Sequence, residues 1–412
     1  MKFLITPNYA APYDQRMVDG LAQGLIAAGQ EAMSLAGPVS AADIRKLCLE
    51  QAFDVVIQVN RTRHPEVELP PAVRHVAWYQ DVFPETTAGF AGRFESRDIL
   101  YALGDPFVLG LAEKPDCLVG SLLSGVDESV FAAPVDHSAS TIDFSLCGYI
   151  PPPISRKRFP WRYLRPGNVP YATFQAMEQT VRRLYCPLCG ELDIHRLAQE
   201  IREATRSLPH RPPNIWKLFP EWLLRARRRV GRAAMPDPNP LPPFERALSY
   251  FVREYPRLLD RTVLVNTILD VSHSVKLYGP GWAAHPEFAP YFQGVLDTQA
   301  ELLEVYQRSR INLANNTHGL GLHSRTLECM AVGGFILMHV SPNDLKAGGM
   351  LTAFEPGIHY GSYTPETLAE QAERWLRDET GRRRVGEQAA AIVREKHRWY
   401  HRAQQILSDL KQ

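Results

Sequence analysis

Arg325 and Glu328 stand three residues apart in "HSRTLECMAVGGF" (323 to 335), a spacing that puts both on one face of a helix. An arginine in the first helical turn presents a planar fork suited to phosphate oxygens, where free amides and the helix dipole already favour an anion. A glutamate one turn later could accept both hydroxyls of a ribose. The plainer reading is an exposed intrahelical ion pair worth only about 0.2 to 0.5 kcal/mol, and for an isolated helix it would win. The surroundings argue otherwise. Gly319 and Gly321 precede Ser324, a good N-cap, and a second loop, "KLYGPGW" (276 to 282), sets Gly279 and Gly281 around Pro280 at the end of a strand. In open α/β sheets, ligands bind beyond the carboxyl ends of the strands, so one anion could meet both loops.

Two carboxylates are candidates for proton transfer. Asp14 follows the first strand, and Asp81 follows "RHVAWYQ"; both fall at strand ends facing a cleft, where a base could reach an acceptor hydroxyl. Each has a structural alternative, Asp14 as a cap of the first helix and Asp81 as a cap of the turn before Pro84. Tyr79 and His75 read as packing residues. "CPLCG", with Cys186 and Cys189, has metal-ligand spacing, but the second cysteine pair of a structural zinc site is absent, and a buried or turn-forming pair is the favoured reading. No P-loop, GxSxG elbow or HExxH occurs, which argues against nucleotide hydrolysis, a serine hydrolase and a zinc protease.

Positioning these groups requires strands alternating with helices. "KFLIT" leads into a helix whose apolar positions Met17, Leu21, Leu25 and Ile26 stop at Gly29; "EAMSL", the helix "AADIRKLCLEQ" and the buried strand "FDVVIQV" follow, then three further short apolar runs. The alternation resumes at "IDFSLCGYI" and runs through "SVKLYG", "TQAELLEVYQRS", "RINLANN", "SRTLECMAVG" and "GFILMHV" into a long helical tail. The fold class is therefore α/β, with two doubly wound parallel sheets facing a cleft. The expected divisions are 1–135, 136–395 and a terminal helix over 396–412.

Length alone, 412 residues, favours more than one core. The 46 basic and 45 acidic side chains nearly cancel, which excludes a globally basic nucleic-acid binder. The charge is instead local: residues 155 to 235 hold 17 Lys or Arg against six Asp or Glu, flanked by prolines, and the basic insertion is expected over 155–245. Within it, 215–232 combines tryptophans with an arginine cluster. That stretch suits an anionic membrane surface or an acidic partner, against the plainer reading of a helix packed on the domain with its arginines in solvent. With no signal-peptide core and no apolar run long enough to span a bilayer, a cytoplasmic protein is expected, with peripheral attachment at the inner membrane face as an option.

"VKLYGPGW", "GVLDTQAELLEVYQRSRINLANN", "HSRTLECMAVGGFIL" and "REKHRWYHRAQQIL" together resemble the group 1 GT-B glycosyltransferases, in particular the CgeB-like, spore-maturation-type branch. The resemblance covers roughly the last 150 residues well. It implies a nucleotide-sugar donor (UDP, GDP or dTDP) bound by the second domain and no further cofactor. The acceptor would be a glycan, lipid-linked glycan or protein hydroxyl, and nucleic acid is not expected. Gly279, Gly281 and Trp282 would line the nucleotide pocket, Arg325 would face the diphosphate and Glu328 would hold the ribose, with His323 and Ser324 in the same donor-binding set. No metal is required. The departure lies at Leu320, where many retaining members carry a glutamate eight residues before the ribose-binding one. The alternatives are a nucleotide-sugar epimerase of the same fold and a non-catalytic protein tethered through its basic stretch.

Overall fold

The computed structural model describes residues 1–64, 66–83, 93–132, 141–154, 169–210 and 243–411. Strands β1 (Lys2–Thr6), β2 (Glu31–Ser34), β3 (Val55–Val59), β4 (Arg74–Tyr79), β5 (Ile99–Ala102) and β6 (Leu118–Ser121) form a parallel sheet in the order β2-β1-β3-β4-β5-β6. β3, "VVIQV", is buried along its whole length, as a parallel strand covered on both faces must be. Helices α1 (Pro12–Ala27) and α2 (Ala41–Gln51) supply crossovers. α2 begins where Ser40 accepts the Asp43 amide at 3.1 Å and ends at Ala52 in the left-handed region.

The second sheet joins β7 (Ile142–Cys147), β8 (Val275–Tyr278), β9 (Phe292–Gly294), β10 (Ser309–Ala314), β11 (Ile336–His339) and β12 (Gly361–Tyr363) in the order β12-β11-β10-β7-β8-β9, again all parallel. Read from β9, this is the doubly wound dinucleotide-binding order, with its reversal point between β7 and β10; the first sheet reverses between β1 and β3. The expected pair of doubly wound sheets is present. The remaining helices are α3 (Tyr171–Leu184), α4 (Ile194–Ala204), α5 (Pro243–Ser249), α6 (Tyr255–Val271), α7 (Gln299–Arg308), α8 (Ser324–Ala331), α9 (Leu368–Arg377), α10 (Glu379–Lys396) and α11 (Trp399–Asp409).

The tail is thus three helices, with the last one starting close to the expected 396 and a further break at Asp378. Asp378 breaks it by accepting the Gly381 amide at 2.8 Å, which starts α10, and the chain turns again at His397 and Arg398. α11 then lies against the first sheet: Trp399 shares a core with Met17, Val18, Leu21 and Trp78, meeting the Trp78 ring edge-on at 6.1 Å. Tyr101 on β5 donates to Asp409 at 2.6 Å.

The chain divides into two compact units, the first holding Met1–Ile150, Pro187–Asp193 and Asp260–Gln412, the second Pro151–Cys186 and Ile194–Leu259. Both sheets belong to the first. The described part of the second is helical, its core built on Phe174, Phe251 and Tyr255, with Phe174 and Phe251 ring centroids 5.2 Å apart. The Tyr255 hydroxyl donates to the buried Glu178 at 2.9 Å. The expected membrane-surface or partner stretch 215–232 lies outside the described residues. Among those described, no helix is long and apolar enough to cross a membrane.

Candidate functional site

The reversal point of the second sheet gathers the donor-binding candidates. β7 ends at Cys147, and the backbone continues through Gly148, whose amide donates to Tyr278 O at 2.8 Å and whose carbonyl accepts the Trp282 indole N–H at 2.7 Å. In the usual βαβ unit a helix would start directly after this turn; here the chain passes at Pro151 into the second compact unit, and returns to the first at Pro187–Asp193 and again at Asp260 on α6. The positive charge that a helix N-terminus would supply comes from side chains instead. Arg325 Nη1 donates to Cys147 O at 2.7 Å. A Cβ built on Gly148 would lie 2.8 Å from Arg325 Nη1 and 3.3 Å from Arg261 Nη2, so two guanidinium groups converge on one bare stretch of backbone. Burial pushes the Cys147 thiol up to about 12 even though both arginines pull it down.

The two glycine loops require glycine for conformation and for space. Gly281 has φ of 97°, and a Cβ there would sit 1.9 Å from Ile150 O; Gly319 has φ of 73°, and its Cβ would meet Ser341 Oγ at 1.9 Å and Gly190 O at 2.1 Å. Gly279 approaches Gly148 O in the same way. Trp282 is fully buried, edge-on to Phe288, so it acts on the loop through its bond to Gly148 O and not by presenting a ring face. "CPLCG" forms a turn at Pro187–Leu188, in line with the turn-forming reading: Leu188 N donates to the buried Asp260 at 2.8 Å, and Gly190 O accepts from Ser341 Oγ at 2.8 Å, so the segment buttresses the loop that carries Gly319. Cys186 and Cys189 form no disulfide, and among the described residues no group of three or more His, Cys, Asp or Glu could hold a metal.

The N-cap of α8 is His323, not Ser324. The chain is extended at His323, whose Nδ1 accepts the Arg325 amide at 3.3 Å, and Ser324 is already the first helical residue. Freed from capping, Ser324 Oγ faces Tyr13 of α1 at 3.3 Å, and the Tyr13 ring stacks on His323 at 6.4 Å. This contact joins the first turn of α1 to the start of α8.

Glu328, one turn on, is buried. Its Oε1 accepts from Gln299 Nε2 at 2.9 Å and from Arg16 Nη1 of α1 at 3.4 Å, while Oε2 has no hydrogen-bond partner among the described residues. Burial raises its carboxyl above the usual range, and Arg16 and Gln299 oppose that. It is therefore no member of an exposed ion pair with Arg325.

Asp14 and Asp81 lie near enough for the charge of Asp81 to act on Asp14. Asp14 does not cap α1, whose N-cap is Ala11 with Pro12 opening the helix; it accepts the Tyr9 amide at 2.7 Å. Asp81 is exposed and accepts from Asn60 Nδ2 at 2.7 Å, at the end of β3. Burial raises the Asp14 carboxyl, the Tyr9 amide lowers it, and the charge of Asp81 raises it further. His75 and Tyr79 are buried in the sheet.

Arg16, Gln299, Arg261 and Gly148 were absent from the sequence-based set. Gly148 carried a signal, a glycine directly after the strand "IDFSLC"; the other three carried none.

Residues 257–408 match a family model described as "Glycosyl transferase-like", so this part of the chain is glycosyltransferase-like in sequence. No curated protein matches. Several solved structures are similar. A glycosyltransferase from Rickettsia africae is 10% identical, with 99% of this chain and 97% of that one covered and a TM-score of 0.47. Anabaena HepE in complex with UDP and glucose is 13% identical, with coverage of 100% and 99% and a TM-score of 0.49. AviGT4, a glycosyltransferase involved in avilamycin A biosynthesis, is 10% identical, with coverage of 100% and 97% and a TM-score of 0.49.

Proposed function

We propose that this chain is a glycosyltransferase that moves a sugar from a nucleotide-diphosphate donor to an acceptor hydroxyl, with donor neutralisation by side chains in place of a metal ion. The observation that carries this reading is the convergence of Arg325 and Arg261 on Gly148, with the buried Glu328 carboxylate one turn away on α8. Two guanidinium groups suit a diphosphate, and a bare buried carboxylate oxygen suits a sugar hydroxyl donor. The match of residues 257–408 to a glycosyl transferase-like family supports it, since that segment contains Arg261, Gln299, Arg325 and Glu328.

The diphosphate would lie over Gly148, against the loop of Gly279 and Gly281 and the first turn of α8. As the bond from the sugar to the diphosphate breaks, negative charge grows on the leaving oxygen, and the preorganised guanidinium groups stabilise that charge more than they stabilise the bound donor. The acceptor would approach from the loops after β1, β3 and β4, where Asp14 is the stronger candidate base. Its carboxyl is raised, and a base works best with a pKa near the working pH. The acceptor as glycan, lipid-linked glycan or protein, the peripheral membrane role of 215–232 and the CgeB-like branch belong to this proposal as well.

A thermal-shift panel of UDP, GDP, dTDP and CMP with their sugars tests it. One nucleotide family is expected to raise the melting temperature of the wild type, and stabilisation by none of them sinks the reading. For the nucleotide that binds, Arg325→Ala should weaken affinity roughly 10- to 150-fold, the value of one or two charge-assisted hydrogen bonds.

A further inference from the structure

We propose that Gln299 is a positioning residue for nucleoside recognition: its side-chain amide, held between Asp127 and Glu328, turns Glu328 Oε2 toward the ligand as the acceptor for ribose hydroxyls. The inference rests on the donor reading above and adds to it a residue outside the α8 motif.

The amide nitrogen of Gln299 reaches Glu328 Oε1 at 2.9 Å and Asp127 Oδ2 at 3.3 Å. Only the NH2 end of an amide can face two carboxylates, so the orientation of the group is fixed by chemistry. Its backbone is fixed as well. Gln299 is the first residue of α7, inside a capping box in which Glu301 accepts the Thr298 amide at 2.9 Å and also takes the Asp297 amide at 3.0 Å. Asp127 lies in the segment after β6 and also faces the Trp399 indole, and Arg16 reaches Glu328 Oε1 from α1. Both donors to Glu328 thus occupy the same oxygen. The other, buried and without a partner among the described residues, is left as the one able to accept from a ligand. A buried carboxylate oxygen left bare is costly, and a hydroxyl donor removes that cost.

A site of this kind discriminates strongly against a ligand that lacks the hydroxyls. The test is calorimetric titration of the full chain with UDP and with 2′,3′-dideoxy-UDP, or with the guanine or thymine counterparts if the nucleotide panel selects them. Wild type is expected to prefer the ribonucleotide by about tenfold or more. Gln299→Ala should weaken ribonucleotide binding several-fold and leave dideoxynucleotide binding unchanged, so that the preference narrows. Gln299→Glu, close in size, should narrow it further by setting a third carboxylate beside the other two, and it serves as the readout if the alanine variant fails to fold. Arg325→Ala should weaken both ligands alike and leave the preference intact. A wild-type preference unaltered in both Gln299 variants, or equal weakening of both ligands by them, overturns the inference alone. Failure of the wild type to bind any nucleotide overturns the donor reading together with it.

Discussion

At the scale of single residues, the division of labour follows from who is buried and who is charged. Glu328 is buried and half-satisfied, Arg325 is bound to a backbone carbonyl, and Asp14 is half-buried with a raised carboxyl. If Asp14 is the base, kcat/KM should fall as the pH drops through that raised value, because only the carboxylate accepts a proton; the acid limb of the rate profile should lie above the ordinary aspartate range. Asp14→Asn should lower kcat by about 10²- to 10⁴-fold, whereas Asp81→Asn should cost less. The reverse ranking would move the assignment to Asp81. Arg325 and Glu328 were legible in the sequence because their relation is local, three residues on one helix. Arg16, Gln299 and Arg261 were not, since Arg16 meets Glu328 from 312 residues away and Gln299 from 29, and no spacing rule reports a contact made by topology.

At the scale of elements, the loops are specified by backbone more than by side chains. Gly281→Ala would force a Cβ into Ile150 O from a left-handed conformation, a cost of about 1 to 3 kcal/mol for the strained backbone alone. The expected outcome is a lowered denaturation midpoint together with loss of nucleotide binding, and unchanged binding would remove this loop from the donor site. Strands and helices were read correctly where hydrophobic period was strong, as in "FDVVIQV" and "AADIRKLCLEQ". Two kinds of feature escaped. β9 and β12 have three residues each, too short to show a period, and the break at Asp378 falls inside an otherwise continuous helical pattern, whereas the terminal helix starts close to the expected 396. Ser324 was misplaced by one residue because histidine is a less common cap than serine, although its ring nitrogen accepts the Arg325 amide here.

At the scale of the whole molecule, buried neutral histidines set the response to acid. Burial lowers His75 and His339 to about 4 and His397 to about 3. Below roughly pH 6.5 the unfolded chain takes up protons that the folded chain refuses, so stability falls as the pH drops toward 4, by about 1.4 kcal/mol per unit for each histidine. The raised carboxylates Glu328 and Asp127 act in the opposite sense, so a variant isolates the histidine effect. Between pH 7 and 5, denaturant titration should show His75→Gln losing about 2 kcal/mol less stability than wild type, and an equal loss would contradict a neutral, buried His75. The molecule's other global property comes from α11. Trp399 completes the core of the first sheet, and Tyr101 meets Asp409 across 308 residues of chain. Such contacts raise contact order and delay folding, because the loop entropy must be lost before the contacts form. The first sheet therefore does not complete its core from its own strands alone, and its stability is tied to a helix at the far end of the sequence.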